Sequence, residues 1–237
     1  MPGERLARIL SALRAAEGPG AETGYLCAAA AGVLQMTGAG IMLMSGDVPA
    51  GSLCSTNDLS ALIEDLQYTL GEGPCVDAYA ENRPVLEPDL ADPLVPRWLA
   101  FTPAALAGGV RAIFGFPLQL GAVRLGALNF YRDRPGLLSA GQHADSLVLA
   151  GVVTRTVLAM QAKAPLGALG AEIESGADLR VVVHQAAGMV AAQLGVSVGE
   201  ALIRLRAYAF ARDLPISEVA DDVVSRRLRF GDPDAGT

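Results

Sequence analysis

The sequence predicts two folded units: an α+β domain built on an antiparallel sheet flanked by helices, then a C-terminal three-helix bundle. Three observations carry this expectation. Residues 110–120 and 123–131 are apolar, strand-like runs separated only by Gly121-Ala122, the spacing of a tight antiparallel hairpin. Earlier strand signals alternate with helical ones in no regular βαβ order, which points to an α+β sheet rather than a doubly wound one. Beyond residue 177 no strand pattern recurs, and apolar residues repeat only at helical spacing. The stretch 164–177, rich in Gly and Ala and carrying Pro165, is the natural boundary. The expected division is 1–163 for the sheet domain, 164–177 for a linker, 178–230 for the bundle and 231–237 for a polar tail.

Taken in order, residues 3–35 read as two helical stretches broken at Gly18-Pro19-Gly20, the first striped by Leu6, Ile9, Leu10 and Leu13. Residues 40–44 and the region around Leu53 read as two strands joined by a turn-rich segment. Asp58 is expected to cap a helix carrying Leu59, Leu62, Ile63 and Leu66, which the loop Gly71-Glu72-Gly73-Pro74 ends. A short helix from Cys75, a strand near 83–86 and a proline-rich stretch to Pro103 lead to the hairpin. Ser139 and Gln142 form a capping-box pattern that opens a helix to about Lys163, roughly 36 Å at 1.5 Å per residue. Its stripe of Leu149, Val153, Thr156, Val157 and Met160 is wider than one buried face needs. Either the whole stripe packs on its own sheet, or Val153, Val157 and Met160 also meet a second chain in a homodimer. In the bundle, Leu179, Val182, Val183, Ala186, Val190 and Leu194 mark the first helix. Ser197 and Glu200 open a second with Leu202, Leu205 and Ala209 inward, and Pro215 fits the first turn of a third carrying Val219, Val223 and Val224.

Composition excludes several function classes. A hydrophobic content of 51% with 18% charged residues supplies a core and excludes wholesale disorder. Eighteen basic against 25 acidic residues leave a net charge of −7, which excludes coating nucleic acid by bulk charge but leaves a local arginine site open. Three cysteines without a CxxC, and only two histidines, make a cysteine–histidine metal site improbable. No leader pattern opens the chain and no uncharged apolar run reaches spanning length, so a cytoplasmic protein with free thiols and no membrane partner is expected. No nucleophile elbow, phosphate loop or HExxH occurs, no cofactor is evident, and Asp47, Asp58, Glu64, Glu72, Asp77 and Glu87 read as solvated or capping carboxylates. The expectation is a protein that is not an enzyme. Cys75, at a helix start, is either an activated thiol or a small buried apolar residue. Trp98 beside Arg97 either stacks on a planar ligand or anchors its loop to the core. Arg204 lies one turn after Glu200, the order of an exposed ion pair, whereas Arg206 has no carboxylate at i−4 or i+4. Arg180, His184 and Ala191 are expected on an outward stripe of the first bundle helix.

Ordered residues over both segments carry a resemblance. Leu66-Gln67, Gly71 to Ala78, Asp89-Leu90, Arg97-Trp98, Ala107 to Val110 and Phe116-Pro117-Leu118 resemble the GAF sensor domain of bacterial regulators. Arg180 to Met189, Gly195 to Ser197, Glu200-Ala201, Leu205-Arg206, Tyr208-Ala209 and Glu218 to Ala220 resemble the ANTAR domain. The resemblance implies a signal-sensing unit that controls an RNA-binding output acting in transcription antitermination, typically as a dimer on paired small RNA hairpins. With residues 165–229 at a net −1, RNA contact is expected at a local site of Arg180, His184, Gln185 and Arg206, and a GAF-like small-molecule pocket is expected to be bounded by Trp98, Phe114, Phe116 and Asn129. The sequence departs from the ANTAR pattern where basic residues are usual: Ala187, Phe210 and the Asp213-Leu214-Pro215 stretch. Two other readings stay open, a thiol-based reductase using Cys75 and a protein-interaction module whose bundle no longer binds RNA.

Overall fold

A computed structural model of the protein describes residues 2–17, 23–46, 48–93, 95–163, 178–212 and 214–231. The expected helix break at Gly18-Pro19-Gly20, the linker 164–177 and the end of the polar tail lie outside these. The chain divides into two compact units, Met1–Ala168 and Leu169–Thr237.

The first unit is a five-stranded antiparallel sheet with helices on both faces. Helices α1 (Pro2–Ala16) and α2 (Gly24–Leu34) precede the hairpin β1 (Gly38–Ser45) and β2 (Val48–Ser55). Then come α3 (Asp58–Leu70), α4 (Pro74–Glu81), β3 (Val85–Glu87), α5 (Phe101–Ala107), β4 (Ala112–Leu120), β5 (Val123–Arg132) and α6 (Ala140–Lys163). The strand order is β2-β1-β5-β4-β3. The two hairpins form because each pairs β-rich runs across a short turn, and β1 then joins β5 to close the middle of the sheet. Alternation assigns the faces. Phe114, Phe116, Leu128 and Phe130 point toward α6, where Phe116 meets the His143 ring edge-on at 5.7 Å. Gly115 and Asn129 point the other way, toward α3 and α4.

Capping decides where the helices begin. At α3 the cap is Asn57 rather than the expected Asp58: its Oδ1 accepts from the Ser60 backbone N–H at 2.9 Å, and the Ser60 hydroxyl accepts from the Asn57 N–H at 2.8 Å. Tyr131 donates its hydroxyl to the same Asn57 Oδ1, tying the helix start to β5. At α6 the expected capping box is present, with Gln142 N–H to Ser139 Oγ and Ser139 N–H to Gln142 Oε1, each 3.1 Å. By length and composition Ala140–Ala162 is long and apolar enough to cross a membrane. Its Leu149, Val153 and Val157 are fully buried in their own unit, however, as in a core helix. Of the three residues expected at a dimer contact, Val153 and Val157 are fully buried in this unit and Met160 keeps part of its surface. α1 is pinned to α6 by Asp145, which accepts from Arg5 and Arg8 at 2.5 Å each.

The expectation of free thiols is also corrected. Cys27 on α2 and Cys54 on β2 are joined in a disulfide, and Cys75 is the free cysteine.

The second unit holds α7 (Asp178–Leu194), α8 (Val198–Ala211) and α9 (Ile216–Val224). Val183, Ala186, Val190, Leu202, Leu205, Ala209, Val219 and Val223 are buried in its core as the helical spacing leads one to expect, whereas Val182, Leu194 and Val224 are only half-buried and the Leu179 side chain lies outside the described residues. Two details differ. Glu200 completes only half of a capping box, because Ser197 Oγ accepts from its N–H while its carboxylate turns to Arg204 at 2.6 Å. Pro215 is the residue before α9 rather than within it.

Candidate functional site

In the first unit the sheet thins along one row. Gly40 on β1, Asn129 on β5 and Gly115 on β4 are direct register partners. A Cβ at Gly40 would lie 2.4 Å from Glu64 Oε1, and one at Gly115 would lie 2.5 Å from the Pro74 carbonyl oxygen. The missing side chains therefore let α3 and α4 descend onto the sheet on either side of Asn129. Four polar side chains converge there, all buried. Asn129 donates its Nδ2 to Glu64 Oε1 at 2.8 Å, and Gln67 Oε1 accepts from the Cys75 N–H at 2.8 Å. Asn129 Oδ1 and Gln67 Nε2 have no hydrogen-bond partner among the described residues, which makes them an acceptor and a donor left over in a closed site.

Burial pushes the Cys75 thiol well above its ordinary value, and the Glu64 carboxylate adds to the shift, while the Asn129 side chain opposes it. An activated thiol requires the opposite environment, and of the two readings of Cys75 the small buried residue is the one that fits. Around the cluster, the loop before α5 is tied down. Glu72 Oε1 accepts from the Ala100 and Phe101 N–H groups at 2.7 Å each. Trp98, buried and with φ of 57°, donates its indole N–H to Asp77 Oδ2 at 2.9 Å and packs edge-on against Phe101. Burial raises the Asp77 carboxyl above the usual carboxylate range, against the lowering influence of Trp98 and Arg97.

The four expected pocket residues are thus split. Asn129 stands in the polar cluster, and Trp98 anchors its loop to α4 through Asp77. Phe114 and Phe116 belong to the opposite face of the sheet, in the core under α6, and do not share a site with Asn129. Glu64, expected to be solvated or capping, is buried in the cluster, and Gln67, which carries part of the GAF resemblance but no expected site role, is buried beside it. The signal for both was present in α3, where Ser60, Ile63, Glu64 and Gln67 fall on one helical face. Among the described residues, no group of three or more His, Cys, Asp or Glu side chains is placed to hold a metal ion.

In the second unit, His184 and Gln185 stand exposed on α7, and Arg206 lies half-buried at the flank of α8. The Arg180 side chain lies outside the described residues. Ala191, expected on the same outward stripe, is buried, because α7 turns that edge toward its partners. Ala187 is fully buried as well, so the position where a lysine is usual is a core position in this chain. Arg204 forms the expected ion pair with Glu200, half-exposed on both sides.

Residues 171–224 match the family model of the ANTAR domain. The fold of the first unit is similar to that of the GAF domain from a Coxiella burnetii phosphoenolpyruvate-protein phosphotransferase (15% identity, 68% of this chain and 95% of that one, TM-score 0.53). It is also similar to the GAF domain of the Acinetobacter phosphoenolpyruvate-protein phosphotransferase (13% identity, 68% and 96% coverage, TM-score 0.50). No curated protein sequence matches the chain.

Proposed function

We propose that this chain, a GAF-like unit followed by an ANTAR domain, is a signal-responsive regulator whose first unit controls RNA binding by the second, acting in transcription antitermination in the cytoplasm. The ANTAR match at 171–224 is the observation that supports this most. Charge then says how the RNA is held. Residues 165–229 carry a net −1, too little positive charge for diffuse attraction, so contact is local. Arg180, His184, Gln185 and Arg206 are the proposed contacts, because a planar guanidinium pairs with phosphate or base edges and stacks on an unpaired loop base. A few such contacts hold one hairpin weakly. A homodimer on two linked hairpins gains the effective concentration of the second site. Its contact lies elsewhere than Val153 and Val157. Sedimentation is expected to show a dimer at micromolar concentration, and a monomer there would remove the bivalent part of the reading.

The sensing site is the Glu64–Asn129–Gln67–Cys75 cluster, whose leftover acceptor and donor suit a small molecule that both donates and accepts hydrogen bonds. The raised thiol favours sensing over the rival reductase reading. Helix α6 packs on the other face of β4 and β5 and is the last described element of the unit, so a shift in those strands biases its position between two states.

The decisive comparison is Arg206→Ala against Arg204→Ala on RNA recovered by crosslinking. Arg206→Ala is expected to weaken binding by at least roughly tenfold with helical content intact. Arg204→Ala removes the same charge from a residue already paired with Glu200 and should change affinity less than about twofold. Equal losses, or no RNA bound by wild type at low salt, would leave the protein-interaction reading in its place.

A further inference from the structure

The geometry points to a second RNA-contact surface that extends past the matched ANTAR residues: the segment after α9, with Arg226, Arg229 and Phe230, set against Tyr208 and Arg212 of α8. The inference rests on the RNA-binding reading of the second unit.

The placement of arginine is the first observation. Three of the seven basic residues between 165 and 229 fall within positions 226–229, after the family match ends at 224. Arg227 is engaged, with Nε 2.7 Å from Asp222 Oδ1. Arg226 and Arg229 are exposed and make no ion pair with any described residue. The next charges along the sequence are Asp232 and Asp234, so the positive charge is confined to a short stretch of chain, as a few directed phosphate contacts require.

Local backbone geometry is the second. The end of α9 is a Schellman motif: the Arg226 N–H donates to the Val223 carbonyl at 3.0 Å, and the Arg227 N–H donates to the Asp222 carbonyl at 2.7 Å. Arg226 is the left-handed residue of that motif, with φ of 62°, the position glycine favours. At the end of α7 the corresponding left-handed residue is Gly195. An arginine in place of glycine works against the fold locally, and it points an exposed guanidinium out of the turn.

Aromatic stacking is the third. The Arg212 guanidinium lies 3.8 Å over the Tyr208 ring, and the Phe230 ring meets Tyr208 at 5.3 Å. The segment is held in that position by the Phe230 N–H, which donates to Gln193 Oε1 at 2.9 Å. Tyr208 and Phe230 stay half-exposed and Arg212 is exposed. A stacked guanidinium and aromatic edge beside two arginines is the chemistry that receives an unpaired base and the phosphates flanking it, so the ligand is a single-stranded loop rather than a duplex stem. This surface supplies positive contacts that Ala187, Phe210 and Asp213 do not.

The test uses the full chain and a pool of two-hairpin RNAs with randomised loops, titrated across salt. Arg226→Gly and Arg229→Gln together are expected to lower affinity on the order of tenfold and to reduce the slope of log K against log salt by roughly 0.7 per arginine. Arg226→Gly alone should melt no lower than wild type, since glycine suits the left-handed position, which separates lost contact from lost fold. Arg227→Gln, which removes the same charge from a paired residue, should lower affinity less than either. If wild type binds the pool while the Arg226/Arg229 variant binds as well as wild type, or if Arg227→Gln loses as much, this surface is not a contact and the RNA reading stands. If wild type binds none of the pool at low salt, the RNA reading fails and this inference with it.

Discussion

Gly115→Val is expected to lift α4 off the sheet, destabilise the first unit by about 2–3 kcal/mol and turn Cys75 from an inert thiol into a reactive one. The Cβ at this position would lie 2.5 Å from the Pro74 carbonyl oxygen, 2.9 Å from its carbon and 3.3 Å from Ala78 Cβ. The first two are backbone atoms, so no rotamer change relieves them, and the start of α4 must move. Cys75 follows Pro74 directly, so the displacement acts on the Cys75 N–H bond to Gln67 and on the burial that raises the thiol. Trp98 is the chain's single tryptophan and is bonded to Asp77 on α4, so its emission reports the same displacement. Urea titration, thiol labelling under native conditions and Trp98 emission should shift together. An unreactive thiol with unchanged stability would show that α4 does not rest on Gly115 as described.

The same row explains how much of this site was legible in the sequence. Both hairpin strands, the capping box of α6 and the three bundle helices were, because each rests on local periodicity or a fixed spacing of a few residues. Which face a strand residue occupies depends on register, and register here turns on one irregularity. A regular hairpin closing at Leu120 and Val123 would pair Phe114 with Asn129 and put the expected pocket residues on one face. The register shift between Leu118 and Gln119 instead pairs Asn129 with Gly115 and Phe114 with Phe130. A one-residue slip therefore moved Asn129 to the opposite side of the sheet from Phe114 and Phe116. Helix α3 misled for another reason. Its leucines set the helical period, yet Leu62 is exposed at 42% and the buried face carries Glu64 and Gln67. Hydrophobic count alone does not show this, because the polar face is accepted only where Gly40 makes room for Glu64 and Asn129 gives it a partner. Both are remote in sequence.

Reduction of the Cys27–Cys54 disulfide is expected to cost the first unit about 3.5 kcal/mol, from the chain entropy that a crosslink of 27-residue separation removes from the unfolded state. The location makes the loss matter. β2 is an edge strand, bonded to β1 alone within the sheet, and its register is broken twice along that pairing. Beside the disulfide, α2 is joined to β2 by the Thr23 hydroxyl, which donates to the Leu53 carbonyl at 2.8 Å one residue before Cys54. Both cysteines are buried, so the bond opens only when this edge loosens. In a reducing cytoplasm the two thiols would pack as small apolar residues, and the α2–β2 contact would then rest on that packing and on Thr23. Urea unfolding of the wild-type chain with and without dithiothreitol measures the difference directly. The midpoint is expected to fall on reduction, and a Cys27→Ser/Cys54→Ser variant should match the reduced protein to within about 1 kcal/mol and ignore the reductant. A wild-type midpoint that does not move under reductant strong enough to open the bond would mean that the edge strand is held by its packing alone.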